Sequence, residues 1–336
     1  MELTTLWFVL IAVLWTGYFV LEGFDFGVGA LLPVLGRTDG DRRTMLSTIG
    51  PVWDGNEVWL ITAGGATFAA FPVWYATLFS GFYLPLLLIL VALIVRGVSL
   101  EYRGKRDEPW WRRRADFGIV FGSAVPALLW GVAFANFVRG VPIDRELDFA
   151  GSVLDLLHPY ALLGGLTTLA LFVTHGAIFL GLKTAGEMRV RAHRLAGGVG
   201  LLAAALAIAF VVWTAFVRAA NLSVVASVLA LALLLAGLLA SRFGRDGYAF
   251  LGTAGAILLL VVSWFLALFP YVLPAIDPAA SGSAGLTVQN SSSSTYTLTI
   301  MSWVALVFVP IVLAYQGWSY WVFRKRVGGP VRTTEA

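Results

Sequence analysis

The run LWFVLIAVLWTGYFVLEGFDFGVGALLPVL, residues 6–35, decides the architecture. At about 1.5 Å of rise per residue it outreaches the ~30 Å hydrocarbon core of a bilayer. Its only charges are Glu22 and Asp25. A helix is the one local structure that closes all its backbone hydrogen bonds inside lipid, so the run is read as a membrane-spanning helix. Met1-Glu2 supplies no basic region before it. The run is too long for the apolar part of a leader and carries two acids, so it is expected to stay as the first helix and not to be cleaved as a signal peptide.

Working outward, the pattern repeats. Of 336 residues, 59% are hydrophobic and 12% charged, where a soluble domain carries about a quarter charged. Further helices are predicted over 51–71, 75–101, 117–138, 158–183, 195–218, 221–241, 248–273 and 297–323. The sixth and seventh are separated because an apolar stretch of ~45 residues is too long for one crossing. The fold class is an all-α integral membrane protein of about nine transmembrane helices. It forms a single membrane domain over 1–336, with sub-bundles at 1–140 and 155–275 and a final helix at 297–323, so two four-helix bundles plus one helix.

Charge orients the chain. Arg37, Arg42, Arg43, Arg103, Lys105, Arg106, Arg112, Arg113, Arg114, Lys183, Arg189, Arg191, Arg194, Arg242, Arg245, Arg324, Lys325, Arg326 and Arg332 fall on one side. Arg139, Arg145 and Arg218 fall on the other, with Arg96 left in the membrane. The positive-inside rule puts the N-terminus outside and the C-terminus in the cytoplasm. The net charge of +4 therefore reflects loops beside lipid headgroups, not a nucleic-acid surface. Zero cysteines exclude disulfides, iron–sulfur clusters and thiolate metal sites. The outer loop 276–295, rich in Ser, Gly and Ala, reads as an exposed flexible connection.

Ionisable groups inside a membrane are costly and mark function by default. Here they gather early: Glu22 and Asp25 in the first helix, Asp54 and Glu57 in the second, Arg96 in the third. Each acidic pair is three residues apart and shares a helix face, which is expected to meet protein or a wet cavity. Asp54 and Glu57 lie roughly 5–10 Å from the cytoplasmic start of their helix, and Glu22 and Asp25 about 15–20 Å in from that side. Arg96 falls near the depth of Asp54 and Glu57. His175, in the fifth helix, lies roughly 12 Å from Lys183. These groups form a candidate proton ladder from the cytoplasm. The plainer alternative is structural pairing of Arg96 with one acid, which accounts for two charges and leaves the others. A haem held by this chain is not expected, because His158 and His193 cannot join His175 and no methionine faces it. The tryptophans read mostly as interface anchors or core, with Trp53 and Trp59 flanking the acidic pair. Pro85, Pro126 and Pro310 are read as kinks.

The segments Gly17-Tyr18…Glu22-Gly23-Phe24-Asp25-Phe26-Gly27 and Gly50-Pro51-Val52-Trp53-Asp54-Gly55-Asn56-Glu57-Val58-Trp59-Leu60 resemble the two N-terminal signatures of subunit II of cytochrome bd-type quinol oxidases. The resemblance continues through Gly64-Gly65-Ala66, Phe79-Ser80-Gly81, Arg96-Gly97-Val98…Glu101-Tyr102-Arg103, His158-Pro159-Tyr160, His175-Gly176-Ala177 and Tyr315…Trp318…Tyr320. It implies a pseudo-symmetric heterodimer with a homologous subunit I carrying two haems b, haem d and the quinol site. Small accessory subunits would join them in the prokaryotic plasma (inner) membrane. That complex oxidises quinol and reduces dioxygen to water, taking protons from the cytoplasm. Subunit II would bind no haem and catalyse nothing alone. Its acids, Asp54 with Asp25 and Glu22 deeper in, would deliver protons toward haem d. Trp59 would lie near an oxygen route, and Trp53 with its apolar neighbours would contact a structural quinone. A proton-coupled secondary transporter and a purely structural scaffold subunit remain as alternatives at this point.

Overall fold

The computed structural model describes residues 2–218 and 220–327; Arg332, counted above among the cytoplasmic charges, lies outside them. The chain runs through α1 (Leu3–Ala30), the short α2 (Leu32–Leu35), α3 (Asp39–Ile49), α4 (Trp53–Ala70), α5 (Pro72–Gly81), α6 (Tyr83–Tyr102), α7 (Pro109–Arg139) and α8 (Pro159–Lys183). It continues through α9 (Gly186–Val217), α10 (Asn221–Arg242) and α11 (Asp246–Leu268). A small outer element follows, made of β1 (Tyr271–Pro274), α12 (Pro278–Ser281) and β2 (Gly285–Thr287), and α13 (Thr295–Val322) closes the chain. Among the described residues, eight helices are long and apolar enough to cross a membrane: α1, α6 to α11 and α13. The helix α4 has 18 residues and falls outside that set, since its first turn spends its length on Asp54, Asn56 and Glu57.

Several boundaries differ from the sequence reading, each for a local reason. The expected helix 75–101 is two helices, parted at Phe82, and α5 begins at Pro72, where a missing N–H costs nothing. Pro85 lies in the first turn of α6 and not at a kink, whereas Pro126 and Pro310 are inside α7 and α13. The unassigned cytoplasmic stretch before Gly50 holds α3. Thr38 starts it with a capping box: its hydroxyl accepts from the Asp41 amide, and the Asp41 carboxylate accepts from the Thr38 amide. The expected helix 248–273 ends at Leu268, before Pro270.

The loop 276–295 is exposed over 276–279, as expected, but from Gly285 onward it is built into the fold. β2 pairs antiparallel with β1, and Leu286, Val288 and Ser291 are fully buried. Small residues permit this: Gly285, at φ +106°, lies against the backbone of Leu273 to Ala275, where a side chain has no room. Its composition is that of a turn, but its two aliphatic side chains are those of a core.

α1 is the central helix, packed against α4, α7, α8 and α11. Its crossing with α8 is backbone on backbone, since a Cβ on Gly27 would stand 2.8 Å from the Gly176 Cα. α13 is the opposite case. Among its described residues only Leu298 is buried, and it is held at points. Trp7 donates to the Leu298 carbonyl at 3.1 Å, and Lys183 Nζ donates to the Phe323 and Lys325 carbonyls beyond its cytoplasmic end.

Candidate functional site

Three helices bring the expected charges together. Glu22 and Asp25 occupy one face of α1, Asn56 and Glu57 come from the first turns of α4, and Arg96 comes from α6. Glu22, Asp25, Asn56 and Arg96 are all at 0% exposure. Arg96 Nη1 forms an ion pair with Glu22, and the Glu57 carboxylate stands 3.9 Å from the same nitrogen. The guanidinium also lies 4.9 Å from the Phe26 ring and 6.0 Å from that of Trp53, a setting that favours a cation over aromatic faces. Gly122 lets α7 close over it, since a Cβ there would meet the Arg96 Cα at 3.0 Å. One turn before Glu22, the Tyr18 hydroxyl accepts from Trp130 Nε1 at 3.2 Å.

Asp25 is held differently. Its Oδ2 accepts from Asn56 Nδ2 at 2.6 Å. The Asn56 Oδ1 in turn accepts from Gln316 Nε2 at 3.0 Å and from the Tyr320 hydroxyl at 2.8 Å. The sequence reading placed Tyr320 in the family resemblance without a role and passed over Gln316. The available signal was a polar side chain at i and a tyrosine at i+4 on one face of an otherwise apolar helix. Glu22 Oε2, Asp25 Oδ1 and Arg96 Nε and Nη2 make no hydrogen bond among the described residues, so the cluster keeps unused donor and acceptor capacity.

Asp54 does not turn inward with Glu57. It is exposed, and its Oδ1 accepts from the Gly55 amide at 2.8 Å. It heads a stripe on α4 that continues through Val58, Ile61 and Phe68, all exposed. His175 is fully buried on α8, but Nδ1 is 2.7 Å from Thr253 Oγ1 and the ring stacks on Phe250 with centroids 4.7 Å apart. No described hydrogen bond or ion pair links it to the carboxylates. Trp59 is half-buried against Gly17. It helps line an apolar groove of about 1120 Å³ between α1, α11 and α13, with Gln316 and Tyr320 at its edge.

The three histidines sit in three different settings. His158 Nδ1 accepts from the Tyr160 amide, and His193 engages Ser241 and Asp246 at the cytoplasmic end. The groove is lined by no histidine, methionine or cysteine. Among the described residues no cluster of three His, Cys, Asp or Glu stands ready for a metal ion.

Residues 3–323 match the family model described as cytochrome bd terminal oxidase subunit II. The chain is 41% identical to cytochrome bd ubiquinol oxidase subunit 2 of Bacillus subtilis (strain 168), covering 97% of both chains. It is 37% identical to cytochrome bd-I ubiquinol oxidase subunit 2 of Escherichia coli (strain K12), covering 96% of this chain and 94% of that one. In fold it is similar to a chain from the structure of bd oxidase from Geobacillus thermodenitrificans, with a TM-score of 0.70 at 17% identity over 97% of this chain and 100% of the other.

Proposed function

The chain belongs to the cytochrome bd terminal oxidase subunit II family and is a multi-pass protein of the bacterial inner membrane, and from that premise we propose that it handles protons for a haem-bearing subunit I. In this reading the complex oxidises quinol and reduces dioxygen, the haems (two b and one d) reside in subunit I, and this chain holds none. The arrangement of its three histidines, each engaged by a different neighbour, supports the haem-free role. The transporter alternative falls away with the family match.

One observation carries the proposal: two carboxyl groups, those of Glu22 and Glu57, share the single guanidinium of Arg96 inside the membrane, and a third, that of Asp25, lies buried on the same face of α1 as Glu22 with Asn56 as its hydrogen-bond partner. One cation balances one carboxylate. The other carboxyl groups are free to take up and release protons as a set. Arg96 would fix Glu22, Asn56 would orient Asp25, and Glu57, with its side chain 20% exposed, would open the cluster toward α4. Asp54 is the entry. A carboxylate at this depth cannot face lipid, so its stripe on α4 is where subunit I would dock and cover it. His175 stands aside from this path.

The groove beside Trp59 has the size and apolar lining for an isoprenoid chain, which supports a structural quinone there with Trp59 against it. Trp53, packed toward Arg96, is turned to the charge cluster instead. The test of the proton role uses the assembled complex. Asp25→Asn and Asp54→Asn should each slow quinol:dioxygen turnover and proton uptake by roughly tenfold or more, with the haem spectrum unchanged. Normal turnover and charge translocation in both would leave only the scaffold role.

A further inference from the structure

The Asn56 amide faces a carboxyl group on one side and two reversible partners on the other. With Asp25 ionised, the observed pattern is complete: the amide NH₂ donates to Asp25 Oδ2 at 2.6 Å, and its carbonyl accepts from Gln316 at 3.0 Å and Tyr320 at 2.8 Å. When Asp25 takes its proton on Oδ2, the oxygen that faces Asn56, the resulting hydroxyl needs an acceptor, and the nearest side-chain group presents a donor. A half-turn of the Asn56 amide cures this mismatch only if the groups behind it can also exchange roles. Gln316 can, because its amide carries both an acceptor and a donor, and Tyr320 can, because a phenol oxygen accepts as well as donates. A lysine, arginine or aliphatic residue at either place would strand a buried polar atom in one of the two states, at a cost comparable to a lost hydrogen bond.

We infer that Gln316 and Tyr320 are positioning residues for Asp25: they reverse the direction of their hydrogen bonds to Asn56 so that the amide stays paired in both protonation states of the carboxyl group. The balance is simple. One proton is added to Asp25, none leaves Asn56, Gln316 or Tyr320, and only hydrogen-bond direction changes along the chain. The inference rests on the proton role proposed above for Asp25, and it makes α13, otherwise bound to the rest of the chain only at points, part of that site. The charged and titratable groups around Asp25 are Glu22 on α1, Asp54 and Glu57 on α4, Arg96 on α6 and Tyr320 on α13.

The experiment is infrared difference spectroscopy between high and low pH on the purified complex, with tyrosine ring-labelled to assign its C–O stretch. In the native complex the Tyr320 band should move as the phenol changes from donor to acceptor, together with side-chain amide bands. The tyrosine shift should vanish in Tyr320→Phe, which identifies it, and in Asp25→Asn, which cannot titrate. Turnover should fall about fivefold for each bond removed in Gln316→Leu and in Tyr320→Phe. A tyrosine band that does not move with pH, in a complex whose Asp25→Asn variant is still slow, overturns the inference and leaves the proton role standing. If Asp25→Asn turns over normally, the proton role fails, and survival of the pH-dependent tyrosine shift in that variant sinks the inference separately.

Discussion

Two sets of charges in this chain are built on opposite terms. In the ion-pair network at the basic ends of the helices, Asp39, Asp41, Asp116 and Asp246 each use both carboxylate oxygens, while the exposed Asp107 uses one. Asp39 accepts from Arg43, Arg103 and Arg112, Asp116 from Arg42 and Arg103, Asp41 from Arg191, and Asp246 from Arg189 and Arg326. Those bonds tie α3 to the start of α7, α3 to α9, α9 to α11, and α11 to the segment after α13. In the membrane cluster, Glu22 and Asp25 each leave one oxygen unpaired. A saturated carboxylate has no acceptor to offer an incoming proton, and the cytoplasmic network behaves as a fastener. An unsaturated one in a dry site retains that capacity, and this is what separates a proton site from a buried clamp.

The sharpest way to break the comparison is to remove Arg96. Arg96→Leu should cost about 3–5 kcal/mol, because it strands a buried carboxylate, and the yield of assembled, haem-containing complex should collapse. Adding Glu22→Gln should restore much of that yield. Recovery of assembly without recovery of turnover would show that the pair serves more than stability. A smaller effect is expected in the network outside. Asp116→Asn loses partners at 2.6 and 2.7 Å, which costs about 1–3 kcal/mol, visible as a lower unfolding temperature with turnover per assembled complex unchanged. A large loss of turnover there would erase the distinction between the two regions.

The smallest effect is a matter of pH. Hydrogen bonds from Arg191 hold the Asp41 carboxyl below the ordinary carboxylate range. Its contribution is therefore present above the unfolded value of about 4 and is lost as pH falls through the lower folded value. Being partly solvated, it is worth under about 1 kcal/mol. Thermal unfolding of the native chain and of Asp41→Asn should differ slightly at pH 7 and converge once the pH falls below the folded value. Curves that stay parallel to the acid end would remove Arg191–Asp41 from the stabilising contacts.

The charges inside apolar runs were legible in the sequence because membranes make them expensive; Glu22, Asp25, Glu57 and Arg96 were expected to meet protein or a wet cavity, and Glu22 and Glu57 share Arg96 while Asp25 pairs with Asn56. What the spacing could not resolve was rotation. Asp54 and Glu57 are about 60° apart around α4, enough to place one at the cluster and the other on the outer face. Gln316 and Tyr320 were hidden because their importance depends on a partner some 260 residues away, Asn56, and no local pattern records such a contact. The β1–β2 element was missed for a different reason. Its Ser and Gly content signals a turn, and only the packing of Leu286 and Val288 reveals a core. Helix starts slipped where charged turns extend α7 and α9 beyond their apolar parts, since hydropathy sees the lipid-facing length and the backbone sees the whole helix.

The contact of Gly27 with Gly176 has a mechanical consequence. Two backbones in direct apposition cannot slide by a residue without a collision, so the depth of Glu22 and Asp25 is registered against α8. Bilayers differ in thickness, and a helical protein answers by tilting the helices that are free to tilt. In this chain that is above all the loosely packed α13, of whose described residues only Leu298 is buried. A thinner or thicker membrane is therefore absorbed at the periphery, and the depth of Glu22 and Asp25 stays set by the protein and not by its lipid.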